Sequence, residues 1–438
     1  MFPIKINIKS YLKALSLLIF TLFLISCKAV GPDYEGAPEL ELPENWENQL
    51  NSEFNETGAS QTQWWTLFND PVLNDLISRA AVDNLDAKIA LARVEVARAN
   101  FGIADAARSP ELDGVGDVSE KSKSKSVSGD RDSGLYSSIG LDISWEIDIF
   151  GYVRRSIEAA DAQLERSVEA YRDVMVILYA EIAKNYVALR TAQERLQYAL
   201  ENVKSQKDTL RIVNARYKAE LVSEVDLLQS EQNLAAAESN IPLFFARINE
   251  LSNSLAILLG KNPGTLNSEL NQSYGIPHVP EKTVVQVPRE ILRQRPDIRE
   301  AERLLAQETA EVGIATAEEY PRFNLNGTFG YDSKEFDNQF SSDSRYWSFG
   351  PNFRWNIFDG GATQAAIEVQ DAQVEEARVN YEKKVLTAFE EVENAIKSYK
   401  EEKQRNASLN VSVTAAKKVN KITLARYTSG LIDFQEVQ

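Results

Sequence analysis

Histidine and cysteine, the side chains that most often ligate metals or act as nucleophile and base, each occur once in this 438-residue chain, as His278 and Cys27. One of each cannot assemble a zinc set, nor a Ser-His-Asp or Cys-His arrangement. His278 also lies in a proline-flanked loop, "GIPHVP". The 65 Asp and Glu residues are spread along amphipathic stretches, where they read as solvated charge. The sequence therefore predicts no catalytic residue, no metal site and no cofactor, and an enzyme is its weakest reading.

Cys27 carries the one covalent chemistry the sequence suggests. Lys5, Lys9 and Lys13 precede "ALSLLIFTLFLIS", thirteen residues that end at the cysteine. A positive region followed by a short apolar run is a secretory leader, too short for a comfortable permanent span. Its end, "LISC", resembles the lipobox of bacterial lipoproteins, in which the cysteine becomes the acylated first residue. Residues 1–26 are thus expected to be a lipoprotein signal peptide and Cys27 a palmitate-type lipidation site, with an uncleaved anchor or a non-lipid signal as the alternative. A lone thiol makes no intrachain disulfide. Without the leader's three lysines, 45 bases face 65 acids, a net charge of −20. That balance repels nucleic acid, and the basic patch such partners need is missing.

The chain repeats itself. At an offset of 210, Trp145 falls on Trp355, Ile147 on Ile357, Gly151 on Gly361 and Tyr171 on Tyr381, while "ARYKAELVSEVD" falls on "ARYTSGLIDFQE". Upstream the offset is 211, pairing "GIADAARSPELDGVG" with "GIATAEEYPRFNLNG". Each copy reads helix, strand, loop, strand, long helix and returning helix. Strict alternation in "LDISWEIDI" marks a strand with one apolar and one wet face. Strands are predicted near 110–118 and 137–149, joined by a polar loop, and again in "PRFNLNGTFGY" and "YWSFGPNFRWNIF".

After Gly151 the period changes to seven. One seam is Val168, Met175, Ile182, Leu189, Leu196, Val203 and Leu210; the other is Leu164, Tyr171, Leu178, Asn185, Ala192 and Ala199. A 3.5-residue period means coiled-coil packing. Sixty such residues make a rod of roughly 90 Å. The second copy ends two residues past its "ARY" match, so it reads as C-terminally truncated, without most of its return helix.

Four amphipathic strands of about ten residues fit a tilted crossing of an outer membrane. Lipid cannot satisfy an open sheet edge, and four strands are too few to close a barrel. Strands in lipid would therefore have to be pooled from several chains, with the helices continuing the tube into the periplasm. A soluble four-stranded sheet packed on a helix is the alternative.

"SCKAVGPDYEGAPELELPENW", "WWTLFNDPVLNDLISRA", "LLGKNPG" from Leu258, "ILRQRPDIREAE" from Ile291 and the two "ARY" segments carry a resemblance that covers essentially the whole chain. It is to the outer-membrane factors of tripartite export systems, the TolC/OprM type, in the lipoprotein branch associated with RND efflux pumps. The resemblance implies a mainly α fold with β. An internally duplicated protomer gives four strands to a shared transmembrane β-barrel and long coiled-coil helices to a periplasmic α-barrel. It also implies a homotrimer, a periplasmic adaptor (membrane fusion) protein, an inner-membrane RND transporter and outer-membrane lipid as partners. The location expected is the outer membrane of a Gram-negative bacterium. The segments would be an N-terminal lipid-anchored stretch (27–70), a first repeat (71–259), an equatorial linker (260–287) and a second repeat (288–438). The function implied is a passive exit duct for small toxic compounds; a polypeptide secretion duct and a non-conducting coiled-coil lipoprotein are the alternatives.

By the same resemblance, Asp226 and Tyr427 match a closed-state latch, and Glu436 a constriction ring with Asp433 one turn before it. Adaptor docking falls on the hairpin tips, at Arg216, Tyr217, Leu221, Arg426, Gly430 and Leu431. Trp145, Phe323, Tyr331, Trp347 and Trp355 would form aromatic membrane girdles. Gly430 suits a tight turn better than Glu220, its repeat mate.

Overall fold

The computed structural model describes residues 28–38, 40–41, 43, 46–47, 63–122, 126, 133–272, 275–278, 294–433 and 436. The expected leader, the Cys27 acylation site and the 279–287 portion of the expected linker lie outside them. The described elements form two compact units.

The first unit takes the described residues among 28–40, 93–169 and 297–384. Its centre is an antiparallel meander of β1 (Glu111–Ser122), β2 (Ser133–Ile147), β3 (Arg322–Ser333) and β4 (Arg345–Arg354), in that spatial order. β1 and β2 run longer than the sequence suggested, pairing without a break from Glu111 opposite Ser144 to Ser122 opposite Ser133. The Lys/Ser alternation there has no apolar phase, so the ladder continued where the pattern had faded. β4 is shorter than expected: its ladder stops at Arg354, because its partner β3 begins at Arg322.

Helix α2 (Leu85–Ala106) leads into β1, and α7 (Pro296–Ala317) leads into β3. Pro296 and Asp297 open α7, a proline whose missing N–H costs nothing there and an acid at the positive end. Arg299 and Arg303 then pair with Glu169 and Glu165 at 2.8 Å each. Their role is structural.

Two helices of 67 residues, α3 (Tyr152–Lys218) and α8 (Ala362–Thr428), start and stop 210 residues apart. Each spans about 100 Å. Asp148 accepts from the amides of Val153 and Arg154 at the start of α3, and Asp359 from Gly361, Ala362 and Thr363 at the start of α8. None of the thirteen expected seam residues of α3 is exposed, and Ile182, Leu189, Leu178, Ala192 and Val203 are buried.

The second unit takes the described residues among 41–92, 170–296 and 385–436. Its core joins α1 (Pro71–Asp83), α3, α5 (Ile241–Leu258) and α6 (Asn267–Leu270). α1 buries Leu73, Leu76, Ile77 and Ala80, the one-faced stripe of an amphipathic helix. Trp65 is buried in this core with its ring 4.7 Å from that of Tyr179, and Trp64 packs against the same core, so the tryptophan pair anchors the first helix. The expected single helix from Pro71 onward is broken at Asn84. That side chain donates to the Leu258 carbonyl and accepts from the Ala87 amide, capping α2. The expected single return helix is likewise two, α4 (Glu224–Ser239) and α5, separated at Asn240 ahead of Pro242.

Arg190 is buried on α3 and holds the linker down, donating to the carbonyls of Leu270 (3.1 Å) and Gln272 (2.6 Å). Its guanidinium lies 4.8 Å from the Tyr186 ring, and the Tyr186 hydroxyl donates to Asp70, the cap of α1. Burial pushes the Tyr186 hydroxyl up to about 12, so it stays a donor throughout the physiological range.

Candidate functional site

The register of the four strands sorts the sheet into two unlike faces. Residues directly opposite share a face, which puts Leu112, Ile143, Leu141, Phe329, Trp347, Phe349 and Phe353 on one side. Asp113, Asp142, Ser144, Asn326, Thr328 and Ser348 fall on the other. The polar face ties itself together: Arg322 holds Glu146 through two contacts of 3.1 and 2.9 Å, and Ser144 donates to Asn326. The apolar face is open, with Trp347 at 71% and Phe349 at 66% exposure. An uncovered aromatic and aliphatic face of this extent marks contact with lipid or protein, not with water.

Four of the five expected girdle residues fall in two bands on that side: Tyr331 and Trp347 toward the loop end, Phe323 and Trp145 toward the helices. Trp355, one residue past β4, lies at the same helical end as the lower band. Both indoles at that end donate to main-chain carbonyls at matching repeat positions, Trp145 to Arg108 (3.1 Å) and Trp355 to Glu319 (3.0 Å). Phe323 to Tyr331 is about 27 Å along the strand. At a tilt of ~40° that is roughly 21 Å of membrane depth, near the ~25 Å apolar band of a barrel. Among the described residues no helix is long and apolar enough to cross a membrane. Nor does any group of three or more His, Cys, Asp or Glu among them present a metal site.

In the same unit, the residues that follow Cys27 form a strap. The Val30 amide donates to the Phe150 carbonyl (2.9 Å), and buried Arg155 donates to the carbonyls of Val30 and Gly31 and to Asp33. Hydrogen bonds from Lys28 and Arg155 hold the Asp33 carboxyl below its usual range. Gly31 sits so close to α7 that an added Cβ would be 2.5 Å from the Gly313 Cα.

The helical tips occupy the second unit. α3 and α8 end in the same double hydrogen bond: Glu220 and Leu221 donate to Tyr217 and Arg216, as Gly430 and Leu431 donate to Tyr427 and Arg426. This is a Schellman ending, which needs a left-handed residue. Glu220 (φ 60) and Gly430 (φ 70) supply it. Leu221, Leu431, Arg426 and Tyr217 are exposed, but Arg216 is not free for docking. Its guanidinium lies 4.6 Å from the Tyr427 ring and donates to the Tyr427 carbonyl at 2.6 Å. Tyr427 packs on Val213 in a small apolar cluster, and burial raises its hydroxyl pKa, with the Asp226 charge adding to the rise. Asp226 itself caps α4 in a reciprocal box with Ser223. Asp433 and Glu436 are exposed, and the Glu436 amide donates to the Asp433 carbonyl.

Sequence reasoning placed Asp226 and Tyr427 together but missed Arg216 as the residue clasping the tyrosine. It also missed Arg155 and Arg190, which read as ordinary surface charge. A signal existed for Arg155: its repeat mate is Ala365, a departure from the duplication.

Known proteins share this duplicated arrangement of amphipathic strands and long helices. The family described as "Outer membrane efflux protein" matches residues 76–261 and 287–438. The chain is 29% identical over 428 residues to "Nodulation protein T" of Rhizobium leguminosarum bv. trifolii, covering 96% of this chain and 89% of that protein. It is also 29% identical to "Cation efflux system protein CusC" of Escherichia coli K12, covering 93% and 88%. The solved outer-membrane channel OprN superposes with a TM-score of 0.86 at 32% identity, covering 93% of this chain and 91% of that one. By sequence and by fold, this chain is a member of the outer membrane efflux protein family.

Proposed function

We propose that this chain is one of three identical subunits of an outer-membrane exit duct, receiving small toxic compounds from an inner-membrane RND transporter through a periplasmic adaptor. The observation that carries this reading is the sheet: apolar and uncovered on one face, polar on the other, with both edges open. Four strands cannot close in lipid, where an unpaired edge costs several kcal/mol per group. Pooling three sheets gives a twelve-stranded barrel, within the range of bacterial barrels. CusC and OprN are by name a cation efflux protein and an outer-membrane channel, and their kinship supports a conduit over a rod or an enzyme.

In this reading residues 1–26 are a removed leader and Cys27 carries the lipid. The strap at 28–34 ties that lipid to the sheet unit, residues 27–70 lead into the first repeat (71–259), and 260–287 girdle the helices before the second repeat (288–438). Arg216, Tyr427 and Asp226 form the periplasmic latch, with Asp433 and Glu436 supplying negative charge that repels its own copies and favours cations. Leu221 and Leu431, exposed at both tips with Tyr217, Arg426 and Gly430, form the adaptor-docking surface.

Planar-bilayer recording of the purified, folded protein tests the reading. Discrete conductance steps are expected, larger once the latch is broken. Folded protein that never conducts, latch intact or broken, would remove the duct.

A further inference from the structure

The duplication fixes more than the protomer. Within the chain, β2 and β3 place Ile143 opposite Gly327, Trp145 opposite Leu325 and Ile147 opposite Phe323. Residues 145–147 of β2 have no partner on β1, whose ladder ends at Glu111 opposite Ser144, so β3 alone holds them as strand. The repeat maps β2 onto β4 at an offset of 210 and β3 onto β1 at 211. Those offsets are physical, not only textual. They turn the observed pair Leu112–Ile143 into the observed pair Phe323–Phe353, and the Trp145–Arg108 hydrogen bond into Trp355–Glu319.

Applied to the β2–β3 junction, the same offsets describe a junction the single chain does not contain. They place Phe353 opposite Gly116, Trp355 opposite Gly114 and Ile357 opposite Leu112, across β4 and β1. These two strands are the opposite edges of the sheet, so a single four-stranded chain cannot bring them together. We propose that β4 of one copy pairs with β1 of the next in this register, and that residues 355–357 become strand only when they do. The inference rests on the shared-barrel reading and adds its seam.

The unfilled spaces agree with the register. At Gly327 an added Cβ would lie 2.7 Å from Ile143 Cγ2 and 3.1 Å from Phe349, so two side chains occupy the gap the glycine leaves. Gly116 is the repeat mate of Gly327, and a Cβ there would meet only the Ser138 carbonyl oxygen, at 3.8 Å; at Gly114 it would meet nothing within 4 Å. These two glycines open onto an apolar groove of about 540 Å³ whose walls include Ile139, Leu141 and Phe329. Ile139 takes the place of Phe349, and the position of Ile143 stands empty. Its repeat mate is Phe353, itself exposed on the far edge. Beyond β4, Ile357 is 81% and Phe358 88% exposed, and 355–358 join no ladder among the described residues. A second copy fills the groove and gives Ile357 a cross-strand neighbour, Leu112, at once. The seam is antiparallel, as the up-and-down order of the four strands requires.

Cysteine cross-linking in isolated outer membranes tests the register, with Cys27 left in place in every variant. Two in-register pairs are Gly116→Cys with Phe353→Cys, and Leu112→Cys with Ile357→Cys. Two slipped pairs join Gly116→Cys to Pro351→Cys or to Trp355→Cys. Oxidation is expected to give covalent dimers and trimers from the in-register pairs, at least five-fold above the slipped ones. Gly116→Cys has room for its new Cβ, so the protomer should fold. A slipped pair that cross-links best overturns the register. So does failure of all four pairs while glutaraldehyde still captures trimers, since the oligomer would then be joined elsewhere. Only monomer under glutaraldehyde would sink the shared barrel itself.

Discussion

Replacing Arg216 with alanine should open the periplasmic end. Two contacts disappear together: the 2.6 Å hydrogen bond to the Tyr427 carbonyl and the guanidinium stacked 4.6 Å from its ring. A charged hydrogen bond contributes about 1.5–3 kcal/mol, and a cation–π contact about 0.5–1 at a partly wet site. Arg216 is only part-buried, so the lower end applies, about 2 kcal/mol per copy. Three copies opening together would lose about 6 kcal/mol. Inverting a 1:99 equilibrium takes about 5.5 kcal/mol. A channel that rests closed should therefore spend most of its time open in single-channel recordings. Arg426→Ala supplies the control, because Arg426 holds the matching place in the other repeat but is exposed. Arg216→Lys keeps the charge, loses the planar stack and should fall between. An Arg216→Ala channel with wild-type dwell times, or an Arg426→Ala channel opened equally, would refute the latch.

Glu220→Gly should strengthen the α3 tip by about 1 kcal/mol, and Gly430→Ala should weaken the α8 tip by a similar amount, because a side chain at positive φ is strained; hydrogen exchange of Leu221 and Leu431 reads both. Arg155→Ala exposes the carbonyls of Val30 and Gly31 at a cost of about 2 kcal/mol, so trypsin should cut after Lys28 far faster than in the parent. The Asp359 carboxyl is held down to about 2 by its hydrogen bonds to Thr363 and to the amides of Gly361 and Ala362, against an ordinary 3.8. Its folded pKa is depressed, so its contribution is complete above pH 3.8 and fades as pH falls through 2, where exchange protection in the first turn of α8 should be lost. Fatty-acid labelling should vanish in Cys27→Ser; a variant that still labels would remove the lipidation site.

Strand phase and heptad phase were both legible because each rests on a side chain's alternation against a buried face. No residue of the seam from Leu164 to Leu210 is exposed, and Trp145, Trp347 and Phe353 stand on the side their period assigns. Where the alternation is polar on both sides, as in the Lys/Ser run entering β1's last turns, hydrogen bonds carry the ladder and composition is silent. Asn84 and Asn240 interrupt helices inside alanine-rich runs, where propensity argues for continuity and one capping side chain or a following proline decides otherwise. Inward arginines were the least visible. Charge reads as solvated until a structure shows the carbonyls it meets, as at Arg155 with Val30 and Arg190 with Leu270.

The two helix ends share one backbone design and have parted in chemistry. At the position after the arginine, Tyr217 is 38% exposed and Tyr427 is 1% exposed; at the turn, an acid stands on one and a bare glycine on the other. A threefold assembly of this chain therefore offers six prongs in alternating kinds, A-B-A-B-A-B. Any ring of identical subunits that grips all six must accept two unequal handholds, so its titration should resolve two affinity classes of equal number, and exchanging Glu220 with Gly430 should narrow the interval between them.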